Sequence, residues 1–267
     1  MADIGLDLDG AGVVVTGGGS GIGAQIARRL AAAGARVVVN DLDGATASAV
    51  AAEIGALAVP GDAASASGVQ ALVGAAREHL GEIDLFCANA GVAPKGGVEG
   101  RGAASPSEWA AGLEVNLMAH VRAAEALLPA WLARGRGHLL VTASAAGLLT
   151  MLGSAPYAVT KHAAVAFAEW LRATYEHRGI VVQALCPQGV RTPMLEGSGR
   201  LGRALLEPDA VDVSVVGDAV LEALRDGRFL VLPHPEVHEY VQAKAADPEA
   251  WLTAMNRLQQ RLESGRL

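Results

Sequence analysis

The stretch "SAPYAVTKHAAV", residues 154–165, places a phenol, Tyr157, four residues before an ammonium, Lys161. Helical spacing puts the two on one face about one turn apart, a face they share with Ala164, Val165 and Ala168. Two readings are open. The lysine snorkels at the rim of a core, or a phenol is being tuned by a neighbouring charge. An unperturbed tyrosine ionises near pH ~10 and is a poor base at neutrality unless something favours its phenolate. Thirteen residues upstream stands Ser144, whose hydroxyl could donate to an oxygen that gains charge. Alone, a serine at the end of a strand is more often a turn residue.

A second group lies near residue 20. "TGGGSGIG", residues 16–23, spaces Gly17, Gly21 and Gly23 as G-x-x-x-G-x-G between an apolar run and a helical pattern. Glycines there permit a tight turn, let the backbone approach a pyrophosphate and let the helix pack on the strand, while the helix N-terminus attracts phosphate charge. The alternative is a glycine-rich turn with no ligand. About twenty residues on, Asp41 ends the next apolar run, where an acid accepts from adenosine ribose hydroxyls and repels a 2′-phosphate. No arginine or lysine stands at Ser20 or just beyond Asp41, so NAD is expected in preference to NADP. Asp41 could instead open the helix after "DLDG", a role that Asp43 fits better.

These groups need elements to hold them. "AGVVVTG", "RVVVND", "ALAVP", "IDLFCANAG", "GHLLVTAS", "IVVQALCP" and "RFLVLP" read as strands. Helical patterns follow the first run and recur near 43–54, 66–80, 106–134, 156–178 and 214–226, with 187–212 irregular. Strand, glycine turn, helix and strand within about thirty residues make a βαβ unit and a parallel pair. The expected fold is α/β: a Rossmann-type, doubly wound, seven-stranded parallel sheet with helices on both faces, in a single domain over 1–267. The tail from 233 onward reads as two helices broken near Asp247 and Pro248, with Asp247 as N-cap. Its apolar residues either dock on the domain, or cover a neighbouring subunit or the mouth of a site.

Composition removes several function classes. Thirty-three glycines, 51% hydrophobic and 4% aromatic residues imply a core of Ala, Val and Leu, suited to helices packed on a parallel sheet. A net charge of −7 without a clustered basic stripe argues against nucleic acid. Cys87 and Cys186 lack zinc-ligand spacing and read as core residues in a reducing compartment, so neither a disulfide nor a metal is expected. The acidic "MADIGLDLDGAG" is unlike a secretory signal, and the uncharged run 139–160 is punctuated by Thr, Ser, Gly and Pro, so a cytoplasmic protein with no membrane segment is expected. "PHPEVHEY" sets His234 and His238 four apart, but Pro235 opens the helix after His234, and the pair reads as structural or surface histidine.

In order, "TGGGSGIG", "NAG" at 89–91, Asn116 in "EVNLMAH", Ser144 in "VTASAAG" and "YAVTK" at 157–161 resemble the short-chain dehydrogenase/reductase family. The resemblance implies an NAD(P)-dependent oxidoreductase acting on CH-OH and C=O groups. Tyr157 would be the acid/base, Lys161 would tune it and hold the nicotinamide ribose, and Ser144 would polarise the substrate oxygen. Asn116 would bend its helix and hold a water that relays protons to the lysine; the alternative is a buried amide that only braces the sheet. Cofactor contacts are implied for Gly17, Ser20, Gly21, Ile22, Gly23, Asp41, Asp62, Asn89, Gly91, Tyr157, Lys161, Pro187, Val190 and Thr192. Asp62 could equally cap the next helix. "CPQGVRT" departs from the family's Pro-Gly pattern by placing Gln188 before Gly189.

Three segments, "VAPKGG", "AGLLTMLGSAP" and "TPMLEGSGRLGRALLEP", would meet the substrate, the last within a substrate loop at 187–212. Leu148, Leu149, Met151, Met194, Leu195 and Leu205 make them apolar, so an apolar, cyclic or steroid-like alcohol or ketone is expected. The alternatives are an NADP-linked ketoreductase, or a non-catalytic nucleotide-binding regulator on the same fold. Family resemblance also implies a homotetramer or homodimer built on the helices near 106–134 and 156–178.

Overall fold

A computed structural model describes residues 5–93 and 104–265. The first valine run forms β1 (Gly12–Thr16), and the glycine turn leads into α1 (Gly21–Ala32). Then come β2 (Arg36–Asn40), α2 (Gly44–Ile54), β3 (Leu57–Ala58), α3 (Ala66–Leu80), β4 (Leu85–Ala88) and α4 (Pro106–Leu113). They are followed by α5 (Ala119–Arg134), β5 (Gly137–Thr142), α6 (Ala155–Tyr175) and β6 (Ile180–Leu185). The rest comprises α7 (Pro193–Glu196), α8 (Gly199–Leu206), α9 (Val213–Asp226), β7 (Leu230–Val231), α10 (Glu236–Ala246) and α11 (Pro248–Glu263).

The strands form one sheet in the order β3-β2-β1-β4-β5-β6-β7, with every pairing parallel. Alternation along β1 divides the core. Val13 and Val15 pack with Ile26 and Leu30 of α1, Val50 of α2 and Leu224 of α9, while Val14 packs with Leu72 of α3, Leu127 of α5 and Leu171 of α6. Both faces are therefore covered, which is why the strands read as unbroken apolar runs. Each such valine or leucine, fully buried, stabilises the fold by roughly 1.5–3 kcal/mol. The expected doubly wound sheet is the one found. Its strand order reverses between β1 and β4, and ligands of open α/β sheets bind at the carboxyl ends of the strands beside such a switch point.

Two stretches differ from expectation. The helix expected over 106–134 is interrupted at Glu114–Met118 by a π-helical turn centred on Asn116. The Asn116 side chain ties itself to the backbone of Val92, and the extra residue in that turn accommodates the bond. The segment 187–212, expected to be irregular, contains α7 and α8. Thr192 accepts from Leu195 N at 3.3 Å and Pro193 occupies the first turn of α7, a start signal within an otherwise irregular run. The tail breaks where expected: the Asp247 carboxylate accepts from Ala250 N at 2.9 Å, and Pro248 is the first residue of α11.

Candidate active site

The glycine turn needs its glycines for measurable reasons. Gly17 has φ +61°, and a Cβ there would lie 2.9 Å from Ala90 Cα; a Cβ on Gly23 would lie 2.1 Å from the Gly17 carbonyl oxygen. The β4 loop is pinned to this turn by Asn89, whose Nδ2 donates to Thr16 O at 3.0 Å and Gly17 O at 3.3 Å. Ser20, exposed, makes no capping bond to α1, and no acidic residue stands in the first turn of that helix. By contrast, Asp43, Ser65, Ser105 and Asp212 each cap the helix they precede. The positive end of α1 is thus left open beside a turn that lets a ligand approach the backbone. Ile22 lies in that first turn, partly buried against the β1 face of the core.

Asp41 and Asp43 divide their work. Asp43 accepts from Ala45 N and Thr46 N and opens α2, while Asp41 faces the glycine turn and accepts from Gly19 N at 2.9 Å. Asp62 is not the cap of α3. Ser65 fills that position, its Oγ accepting from Gly68 N at 3.0 Å, and the exposed Asp62 accepts instead from Ala64 N at 2.9 Å. Capping needs the residue immediately before the helix, and α3 begins at Ala66, four residues beyond Asp62.

At the ends of β5 and β6 the residues expected to do acid/base chemistry converge. Ser144 Oγ accepts from Ala146 N at 3.1 Å and donates to Pro187 O at 3.3 Å. Ser144 Oγ also acts on the Tyr157 phenol by hydrogen bonding. Its single proton can serve either the carbonyl or an oxygen placed at the phenol. Tyr157 sits in the first turn of α6, and Lys161 Nζ lies 5.7 Å from the centre of its ring and donates to Thr142 O at 2.9 Å. Lys161 is 3% exposed, so the snorkelling reading fails.

Asn116 uses its whole amide. Oδ1 accepts from Val92 N at 2.9 Å, and Nδ2 donates to Val92 O at 2.9 Å and Thr160 Oγ1 at 3.2 Å. A Cβ on Gly91 would meet Asn116 Oδ1 at 3.3 Å and Lys161 Nζ at 3.5 Å, so these three residues share one small space. The side chain braces the loop after β4, and the helix around it leaves its regular path.

Burial sets the electrostatics of the pair. Burial pushes the Tyr157 phenol above its ordinary pKa, opposed by the hydrogen bond from Ser144 and reinforced by Cys186. The Lys161 ammonium is directed at Thr142 O, and removal from water dominates at the phenol. Lys161 itself is pulled down to about 8 by burial. It therefore gives up a proton more readily than a surface lysine.

The loop after β6 is held by a residue the sequence assigned only to structure. His234 Nδ1 accepts from Gln188 N at 3.2 Å, and its Nε2 donates to Gly189 O at 3.0 Å, which fixes the Nε2-H tautomer. Gln188 thus departs from the family pattern with its backbone clamped. Pro187 O accepts from Ala145 N at 2.8 Å, Val190 is buried and bridges to Val211, and Thr192 lies over Gly21, where a Cβ would meet its Cγ2 at 3.2 Å. From the tail, Lys244 Nζ donates to Leu148 O at 2.7 Å and Trp251 Nε1 donates to Thr150 Oγ1 at 3.0 Å. Helices α10 and α11 therefore dock on the lip that follows Ser144. No spacing rule could have found contacts across about a hundred residues. Of the three segments expected at the substrate, "AGLLTMLGSAP" is this lip, "TPMLEGSGRLGRALLEP" forms α7 and α8, and residues 94–97 of "VAPKGG" lie outside the described residues.

Cys87 and Cys186 are buried free thiols, the latter pushed up to about 12 by burial. Among the described residues, no group of three or more His, Cys, Asp and Glu could hold a metal, and no helix is long and apolar enough to cross a membrane.

The family description "short chain dehydrogenase" matches residues 11–200. The chain is 37% identical over 244 residues, 86% of each chain, to a 1-deoxy-11-beta-hydroxypentalenate dehydrogenase of Streptomyces exfoliatus. It resembles the crystal structure of a short chain dehydrogenase/reductase from Burkholderia phymatum in complex with NAD, with TM-score 0.82 and 27% identity over 92% of this chain and 96% of that one. A 3-ketoacyl-(acyl-carrier-protein) reductase from Brucella melitensis complexed with NADH gives TM-score 0.77 and 28% identity over 84% and 96%. With the glycine turn at the switch point and Ser144, Tyr157 and Lys161 gathered beside it, the chain belongs to the short-chain dehydrogenase/reductase family and is an oxidoreductase acting on CH-OH groups.

Proposed function

We propose that the protein is an NAD-dependent dehydrogenase interconverting an apolar cyclic secondary alcohol and its ketone. The observation that carries this is the convergence of Ser144 Oγ, the Tyr157 phenol and a buried Lys161 at the carboxyl ends of β5 and β6, beside the uncapped N-terminus of α1. The residues present fit a dinucleotide. Gly17, Gly21 and Gly23 leave no side chain over the turn, the first N–H groups of α1 are free of a side-chain cap, and Asp41 stands at the end of β2 to accept from a ribose. Asn89 and Gly91 line the loop after β4, and Pro187, Val190 and Thr192 the loop after β6. Asp62, exposed after β3, would face the adenine. An acid at Asp41 disfavours a 2′-phosphate, hence NAD. When bound, the nicotinamide supplies hydride exchange with the carbinol carbon.

The chain's own residues manage the oxygen. Ser144 turns its proton from Pro187 O to the substrate oxygen, where negative charge develops. Tyr157 takes the alcohol proton in oxidation and returns it in reduction. Burial raises the phenol, and the positive nicotinamide ring of the bound oxidised cofactor together with the Lys161 charge would favour the phenolate against it. Asn116 fixes the Val92 backbone and with it the side of the pocket that faces Lys161.

Leu148, Leu149 and Met151 lie on the lip at 148–152, and Met194, Leu195 and Leu205 on α7 and α8, the segments expected to meet substrate, and this apolar set suits a hydrocarbon skeleton such as a terpenoid or steroid-like ring system. The hydroxypentalenate relative points to the same class. Leu113, Val159 and Trp170 are exposed apolar residues on α4 and α6, and support a homodimer or homotetramer through these helices, testable by mass in solution. The decisive experiment compares NAD and NADP across a panel of cyclic secondary alcohols, with Tyr157→Phe alongside. The variant should lose roughly a hundred- to ten-thousand-fold in turnover and keep its affinity for NAD. Unchanged turnover refutes the acid/base assignment, and faster turnover with NADPH than with NADH refutes the role of Asp41.

A further inference from the structure

Three histidines are buried among the described residues. His138 Nε2 pairs with Gln183 Oε1 at 2.8 Å, and His234 uses both ring nitrogens. His120 is different: it is 1% exposed, and neither Nδ1 nor Nε2 has a hydrogen-bond partner in the protein. Each such nitrogen costs about 1–3 kcal/mol if left without one. Native proteins meet that cost with ordered water, which needs a polar site to hold it.

The location supplies such a site. His120 follows Asn116 by four residues, one turn further along the buried face that runs from the π-helical turn into α5. The π turn interrupts the regular α-helical ladder beside it, a feature frequent at functional sites. Asn116 Oδ1 and Lys161 Nζ approach the same point above Gly91, and Lys161 is the charged group that acts on His120. Burial, assisted by Lys161, holds the imidazole near a pKa of about 3, so the ring is neutral at working pH. A neutral ring offers one donor and one acceptor, which is the pair of functions that a water chain requires.

We infer that His120 is a positioning residue for the proton path, holding ordered water against Lys161 so that the proton exchanged at Tyr157 leaves or enters the site along α5. The inference rests on the proposed roles of Tyr157 and Lys161. In alcohol oxidation the C–H electron pair departs as hydride to the oxidised nicotinamide, and the O–H proton passes to the Tyr157 phenolate. Lys161 then gives one proton to the water and takes one from the side of Tyr157. His120 holds that water with one donated and one accepted hydrogen bond and keeps its own proton, while the water passes the proton onward. Each relay member ends as it began, and one proton is delivered to solvent.

The test compares His120→Leu, which cannot hold water, with His120→Gln, which offers a donor and an acceptor but no titrating ring. Melting temperature and NAD affinity report the fold and cofactor site. Stopped-flow proton release with an indicator dye, and the solvent deuterium isotope effect on oxidation, report the path. His120→Leu should slow proton release at least fivefold and enlarge the isotope effect, with the alcohol KM and NAD affinity unchanged. His120→Gln should recover most of the rate. The inference is overturned if His120→Leu releases protons at the wild-type rate, or if His120→Gln, folded and binding NAD normally, is as slow as His120→Leu. Should His120→Leu not fold, the glutamine variant carries the test alone: a rate within about threefold of wild type supports the inference and a larger loss refutes it. Tyr157→Phe in the same assay separates the two claims, since turnover surviving in it would overturn the acid/base reading whatever His120 does.

Discussion

Replacing Lys161 with methionine should stabilise the protein while destroying its activity. The side chain is 3% exposed, and its ammonium, pulled from 10.5 to about 8 by burial, rests on the single carbonyl of Thr142 at 2.9 Å. A depression of that size means that keeping the group charged in the folded protein costs about 3 kcal/mol. Methionine keeps the unbranched stem and removes the charge; losing the bond to Thr142 O returns roughly 1–3 kcal/mol. At pH 7 the net gain is up to about 2 kcal/mol. The pH dependence is a sharper signature. Folded protein releases the Lys161 proton through about pH 8 and unfolded chain through about 10.5, so between them the unfolded state holds more protons and wild-type stability rises with pH. The burden is complete below pH 8 and relieved above 10.5. Urea unfolding of both proteins from pH 7 to 10.5 measures the difference directly, because titrations common to both cancel. A variant less stable at pH 7, with a difference that stays flat across the range, would refute the reasoning.

Alanine at Gly23 puts a Cβ 2.1 Å from Gly17 O, so Gly23→Ala should lower the melting temperature and weaken NAD binding at least tenfold, measured by calorimetry. His138 is held at about 4, chiefly by burial, with Gln183 opposing and Arg172 assisting. Unfolded chain takes up that proton near 6.5, so stability should fall by about 3 kcal/mol as pH drops from 6.5 to 4, and His138→Asn should flatten this slope in denaturant titrations. Trp251→Phe removes the bond to Thr150 Oγ1 while keeping an aromatic ring; it should raise the alcohol KM severalfold and leave the NAD KM unchanged in steady-state kinetics.

What was legible in the sequence is what local chemistry dictates. Valine runs buried on both faces announce parallel strands, and Asp247 with Pro248 marks a helix start that the folded chain obeys. Ser144, Tyr157 and Lys161 were singled out by their spacing and by the family resemblance, and the fold brings the end of β5 against the first turns of α6. Long-range partners were not legible. Asn116 bends its helix because of Val92, His234 earns its place through Gln188 and Gly189, and Lys244 meets Leu148 across the fold. Burial of the Tyr157 phenol was not legible either: a charge four residues away is visible in a sequence, whereas removal from water is not.

The two bonds from α10 and α11 to the lip also set an order in time. Leu148 and Thr150 receive their partners from residues 96 and 101 positions further along the chain. At roughly 5–20 residues per second on the ribosome, that is a wait of roughly 5–20 s. A nascent chain can therefore pair β1 to β6 before its lip is fastened, and it acquires most of the framework of its sheet before the shape of its opening.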